Sequence, residues 1–127
     1  MDDYPVMIVA PKGRVRDGLQ ALLMAMPQVE RIDLADDVHS ALTSERAPAL
    51  VLLDVDQHRD GIPAALEAIR SRWPGVRCLI LANNVQDQQV AKAAGADDVL
   101  LKGFPTARLF ESVRGLVATT RVAQVLD

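Results

Sequence analysis

Four short runs of purely apolar residues set the terms for this chain: Val6-Met7-Ile8-Val9, Leu50-Val51-Leu52-Leu53, Cys78-Leu79-Ile80-Leu81 and Val99-Leu100-Leu101. Three or four residues are too few for a helix, and an unbroken run leaves no polar face for water. Such segments predict strands buried on both sides, as in a parallel sheet covered by helices on both faces. The runs stop abruptly, at Ala10-Pro11, Asp54, Ala82 and Lys102. A weaker run, Ile32-Asp33-Leu34-Ala35, lies between the first two.

The intervals carry a different period. Val15, Leu19, Leu22, Leu23 and Met26 recur at helical spacing before Pro27 stops the pattern. Asp36-Asp37 offers a cap for a helix over 38–46, which Pro48 ends. Pro63 opens a third helix that carries Leu66 and Ile69, with Trp73 just before the stop at Pro74-Gly75. Asn83-Asn84 begins a loop, residues 86–94 form a fourth helix ending at Gly95, and Thr106–Val117 a fifth. Leu109, Phe110, Val113, Leu116 and Val117 make the apolar face of the fifth. Five strands alternating with five helices predict an α/β fold. It is a flavodoxin-like three-layer (βα)5 sandwich, with a parallel five-stranded sheet in the order 2-1-3-4-5. Residues 1–117 make this one domain. Val122, Val125 and Leu126 are out of phase with the fifth helix, so residues 118–127 are expected to be a C-terminal helical extension or a linker stub.

Composition narrows the function. A chain of 127 residues suits one domain that buries roughly two-thirds of its unfolded surface without disulfides or metal. Seventeen acidic against 14 basic residues disfavour phosphate-driven binding, and four aromatic residues disfavour base stacking, so no direct nucleic-acid binding by this domain is expected. No apolar run approaches the ~18–20 residues that span a bilayer. The start, MDDYPVMIVAP, is acidic and then strand-like, unlike a signal peptide. Cys78 has no second cysteine to pair with. A reduced, cytoplasmic protein without membrane contact is the expectation.

Ligands of such a sheet gather beyond the carboxyl ends of the strands, near the switch in strand order. The segments VMIVAPKGRVRDGLQALL, ALVLLDVD, PGVRCLILAN and AGADDVLLKG meet there, and together they resemble the receiver domain of bacterial two-component response regulators over about residues 5–117. VRDGLQALL and DDVLLKG lean toward the branch with a helix-turn-helix output domain. The resemblance implies phosphorelay signal transduction rather than enzymatic turnover, with a histidine kinase or other signalling protein as partner. The phosphoacceptor of the family falls on Asp54, and the lysine that pairs with the phosphoryl group on Lys102. The acidic pair that holds Mg²⁺ in the family falls on Ala10 and Pro11, the hydroxyl residue after the fourth strand on Ala82, and the switching aromatic on Val99.

Phosphoryl transfer depends on positioning and on metal that neutralises the developing charge. Mg²⁺ takes oxygen ligands, usually one or two carboxylates with waters and phosphate. With both acids replaced, weak or absent Mg²⁺ binding is expected. Asp54 and Asp56 are the carboxylates left to hold a divalent ion, with Asp56 two residues past the acceptor position. The expected function is an atypical receiver that acts through protein–protein contact. Its surface is the fourth-helix, fifth-strand, fifth-helix face, through which the resemblance also implies a homodimer. There Val90, Leu109, Val113 and Val117 cover the sheet, and Gln89, Lys92, Arg108 and Glu111 are outward-facing candidates for contact.

Two other functions stay open at this point. One is a conventional phosphoacceptor modified at Asp54 by a histidine kinase. The other is a small-molecule module of the same fold. Asp56-Gln57-His58-Arg59-Asp60-Gly61 matches D-x-H-x-x-G, in which the His ligates cobalt in cobalamin-binding domains, but that motif belongs after the first strand and this copy follows the third. His39 reads as a surface residue of the second helix, and Cys78 as a small core residue inside a strand rather than a nucleophile.

Overall fold

The structure, a computed structural model, describes residues 4–54 and 61–126, with side chains to residue 117. Five strands, β1 (Tyr4–Val9), β2 (Val29–Ala35), β3 (Leu50–Asp54), β4 (Arg77–Ala82) and β5 (Asp98–Leu101), form one sheet. All neighbours pair in parallel, in the order β2-β1-β3-β4-β5. This is the expected flavodoxin-like arrangement. Five helices alternate with the strands: α1 (Arg14–Met24), α2 (Val38–Leu42), α3 (Ile62–Arg72), α4 (Val85–Ala93) and α5 (Thr106–Leu126). No described helix is long and apolar enough to cross a membrane.

The apolar runs explain the layering. Side chains of a strand alternate between faces, so a run without polar residues feeds two cores. Leu50 and Leu52 of β3 pack with Leu19 and Leu23 of α1 and with Leu109 and Val113 of α5. Val51 and Leu53 pack on the opposite face with Ala41 of α2, Leu66 and Ile69 of α3 and Ala91 of α4. All five residues of β3 are buried. The central strand therefore carries Asp54 into a dry position at its carboxyl end.

Several boundaries differ from the sequence expectation. β2 starts at Val29, three residues before the apolar run, because it is an edge strand. Its polar side chains stay near water, where Arg31 bonds Asp33 at 3.1 Å. The second helix ends at Leu42 rather than 46. Thr43 Oγ1 donates to the Ser40 carbonyl at 2.7 Å, and Ser44 Oγ both donates to and accepts from the Arg46 backbone at 3.2 Å. Short hydroxyl side chains offer the backbone partners that compete with a helix. Asn84 does not merely begin a loop: its side chain accepts from the Asp87 N–H at 2.8 Å and caps α4. Val15 and Val90, assigned to buried faces, are 52% and 39% exposed. Each lies at the margin of its helix's apolar stripe, beyond reach of the sheet. α5 continues from Val117 to Leu126.

Cys78 is fully buried in β4, and burial pushes its thiol up to about 11, with the Arg70 charge lowering it and Asp97 raising it. The thiolate is the reactive form. Native protein at pH 8 is expected to resist a thiol-specific reagent until denaturant is added; fast native labelling would count against this packing. The sign of the pH effect follows. The unfolded thiol ionises near 9.0 while the folded one holds its proton to about 11, so stability falls as pH rises through that window. A Cys78→Ala variant should lack that part of the alkaline loss.

Candidate functional site

Three strand ends meet at the site. β3 delivers Asp54, 4% exposed, and the chain leaving β5 delivers Lys102. Lys102 Nζ lies 2.6 Å from Asp54 Oδ1. The backbone fixes this approach: the Lys102 N–H donates to the Ala82 carbonyl at 2.8 Å, which ties the end of β5 to the end of β4. Gly103 then turns the chain at φ +94°, a left-handed conformation that L side chains rarely adopt, and sends it toward α5. Asp54 and Lys102, which the strand ends and the resemblance both place at this rim, are in direct contact.

The other strand-end positions bring no side-chain oxygen. Ala10 and Ala82 are buried at 1% and 0% exposure, Pro11 is exposed, and Val99 is buried in β5. Among the described residues no group of three or more His, Cys, Asp or Glu is placed to hold a metal ion. Asp56 and most of the D-x-H-x-x-G segment lie outside the described residues. His39 is exposed, as expected.

One residue of this rim was not picked out from the sequence. Arg16 is 8% exposed, and its Nη1 donates to Asp36 Oδ1 at 2.8 Å and to the Ala10 carbonyl at 3.3 Å. A cation thus links α1, the carboxyl end of β1 and the residue after β2. Its signal was present, since Arg16 shares the i, i+3, i+7 phase of Leu19 and Leu23 on the buried stripe of α1. The Asp36-Asp37 pair divides accordingly: Asp37 caps α2 by accepting from the Ser40 N–H at 2.8 Å, and Asp36 pairs with Arg16 instead of capping.

The chemistry open to the Asp54–Lys102 pair is limited by charge. A buried carboxylate costs several kcal/mol unless a cation or hydrogen bonds compensate it. Here an ammonium sits within hydrogen-bonding distance. On the neighbouring face Gln89, Lys92, Arg108 and Glu111 are all exposed, while Leu109, Val113 and Val117 are buried. Ser112, itself buried, hydrogen-bonds the Asp98 carboxylate and ties α5 to β5.

A parallel (βα)5 sheet in this order, with an aspartate ending β3 and a lysine leaving β5, is the arrangement of a signalling receiver. Residues 6–114 match the family model of the response regulator receiver domain, and the chain belongs to that family, the receivers of two-component signalling. Among solved structures, NtrX from Brucella abortus in complex with ATP is 25% identical, with a TM-score of 0.84 over 97% of this chain and 29% of that one. The chain thus spans under a third of NtrX. A LuxR family DNA-binding response regulator from Silicibacter pomeroyi is 24% identical, with a TM-score of 0.78, covering 91% of this chain and 93% of its own. A two-component response regulator of the LuxR family from Aurantimonas sp. SI85-9A1 is also 24% identical, with a TM-score of 0.80, covering 92% and 86%. At that identity these two likenesses concern the fold. No curated protein matches the chain.

Proposed function

We propose that this receiver is atypical and passes its signal by protein–protein contact, without normal Mg²⁺-dependent phosphorylation of Asp54. The observation that carries the reading is the 2.6 Å pair between Lys102 Nζ and Asp54 Oδ1, in a pocket whose other strand-end positions are Ala10, Pro11 and Ala82. The residues present do not fit a Mg²⁺ site of the family's kind. The ion prefers near-octahedral oxygen ligands, and the positions that would supply them carry methyl groups and a proline ring. Lys102, a residue the family's pocket also has, gives Asp54 a cation but no oxygen ligand for a metal. Contact then falls to the α4–β5–α5 face, with a histidine kinase, another signalling protein or a second copy of the chain as the occupant, in the cytoplasm.

The test is direct. The protein is incubated with Mg²⁺ and a small phosphodonor beside an Asp54→Asn control, and intact mass is measured. No adduct on either protein is expected. A phosphoryl adduct on the native chain and none on the variant would falsify the proposal in favour of a conventional phosphoacceptor.

A further inference from the structure

β2 closes the sheet on the side away from β5, with β1 as its neighbour among the described residues. The N–H and C=O of successive residues in a strand point alternately to its two sides. The Ala10 N–H donates to the Ala35 carbonyl, so Ala35 turns its groups toward β1. The register is regular from Arg31 to Ala35, so Arg31 and Asp33 also face β1, while Ile32 and Leu34 face outward. Outward N–H and C=O groups on an edge strand are a template for another strand.

The side chains say which strand fits. Ile32 packs on the α1 face of the sheet, and Leu34, on the same face, is 40% exposed. Arg31 and Asp33 share the opposite face and bond each other at 3.1 Å. Arg46 Nη1 lies 3.8 Å from Asp33, and Glu30 lies 3.2 Å from Arg31. These four charges cancel, although the chain carries a net charge of -3, so the edge does not repel a copy of itself. A closed pair of identical strands runs antiparallel about a two-fold axis. An axis at Arg31 or at Asp33 would set like charges against each other. An axis at Ile32 sets Ile32 against Ile32, where opposed residues exchange both backbone bonds, and each Arg31 against Asp33 of the second copy.

We propose that β2 is an interface between two copies of this chain, paired antiparallel about a two-fold axis at Ile32, so that the two sheets join into one. Each Arg31 then lies between its own Asp33 and Asp33 of the second copy, and Leu34 covers Ile32 of the second copy across the diagonal. Hydrogen bonds supply the attraction, and the alternating charges fix the register. This surface is at the far edge of the sheet from the α4–β5–α5 face, and the proposal is independent of what happens at Asp54.

The experiment measures the mass of the full chain in solution by sedimentation, at concentrations up to about 1 mM, with a dimer Kd on the order of 0.1 mM expected for so short a contact. Arg31→Asp and Asp33→Arg each oppose like charges twice across the axis and should weaken the dimer about tenfold. An equimolar mixture of the two variants, each with native circular dichroism, should regain association close to native, because each copy then meets its complement. A role confined to one chain would not produce that rescue. Leu34→Pro removes an N–H that points away from β1 and should give a monomer with the sheet intact. Asp54→Asn should associate as the native chain does. A native chain that stays monomeric, a mixture that associates no better than its parts, or a Leu34→Pro protein that dimerises normally would overturn the proposal. So would loss of the dimer in Arg108→Glu, which would place the second copy against α5 instead.

Discussion

Replacing Lys102 with methionine is expected to cost the fold about 3 kcal/mol, the scale on which removing one member of a buried ion pair destabilises a protein. The cause is not lost packing but a carboxylate left in place without its ammonium. Asp54 is 4% exposed at the end of the central strand, with Leu53 before it and β1 and β4 on either side of β3, so water cannot take over Lys102's role cheaply. Chemical denaturation followed by the fluorescence of Trp73, the single tryptophan and 5% exposed, measures the loss. Adding Asp54→Asn to Lys102→Met should return most of it, because the neutral amide no longer needs the cation. If Lys102→Met is as stable as the native chain, Lys102 does not neutralise Asp54, and the ion pair is not what holds the carboxylate in its buried position.

The second large effect lies at the opposite end of the sheet. Asp97 precedes β5, and its Oδ2 accepts from the Cys78 N–H at 2.7 Å and from Arg70 Nη2 at 3.2 Å, while Oδ1 accepts from Arg77 Nη1 at 3.3 Å. One side chain thereby joins α3, β4 and the start of β5. Arg70 also donates to the Gly95 carbonyl, which fastens the turn after α4, where Gly95 takes a positive φ of +94°. Asp97→Ala removes the acceptor of a backbone N–H and of two guanidinium groups, and an unsatisfied buried donor costs about 1–3 kcal/mol. With the charged contacts included, a loss near the upper end of that range is expected. Asp97→Asn should restore about half, since the amide oxygen still accepts from Cys78 but bears no charge. A loss in Asp97→Ala no larger than in Asp97→Asn would mean that the charge, rather than the acceptor, matters at this position.

The two sites differ in how far a sequence can reveal them. Asp54 ends an apolar run, and a carboxylate at that boundary stands out against four leucines and valines. Lys102 ends another in the same way. Their pairing rests on a topology that period and handedness already restrict. Arg16 and Asp97 had no such contrast. Arg16 is one of two arginines in a polar-looking helix start, and only its phase with Leu19 and Leu23 set it apart. Asp97 is followed by Asp98, and nothing local says that the first faces Cys78 while the second bonds Ser112. The shortened α2 was obscured likewise, because serine and threonine suit both a helix turn and the bonds that end it.

The sequence by itself determined the architecture. Apolar runs of strand length, buried on both faces, have few stable arrangements when helices alternate with them, and right-handed crossovers leave the observed order among the few. It also determined which chemical groups are missing, since Ala10, Pro11 and Ala82 cannot supply side-chain oxygen ligands in any fold. Tertiary structure decided how closely the charges meet. Lys102 and Asp54 are separated by 48 positions of chain and by one strand of the sheet, and they touch because β3, β4 and β5 end at a common rim. Periodicity records the face on which a side chain sits, but Coulomb attraction and desolvation depend on distances across the sheet, which no local pattern contains.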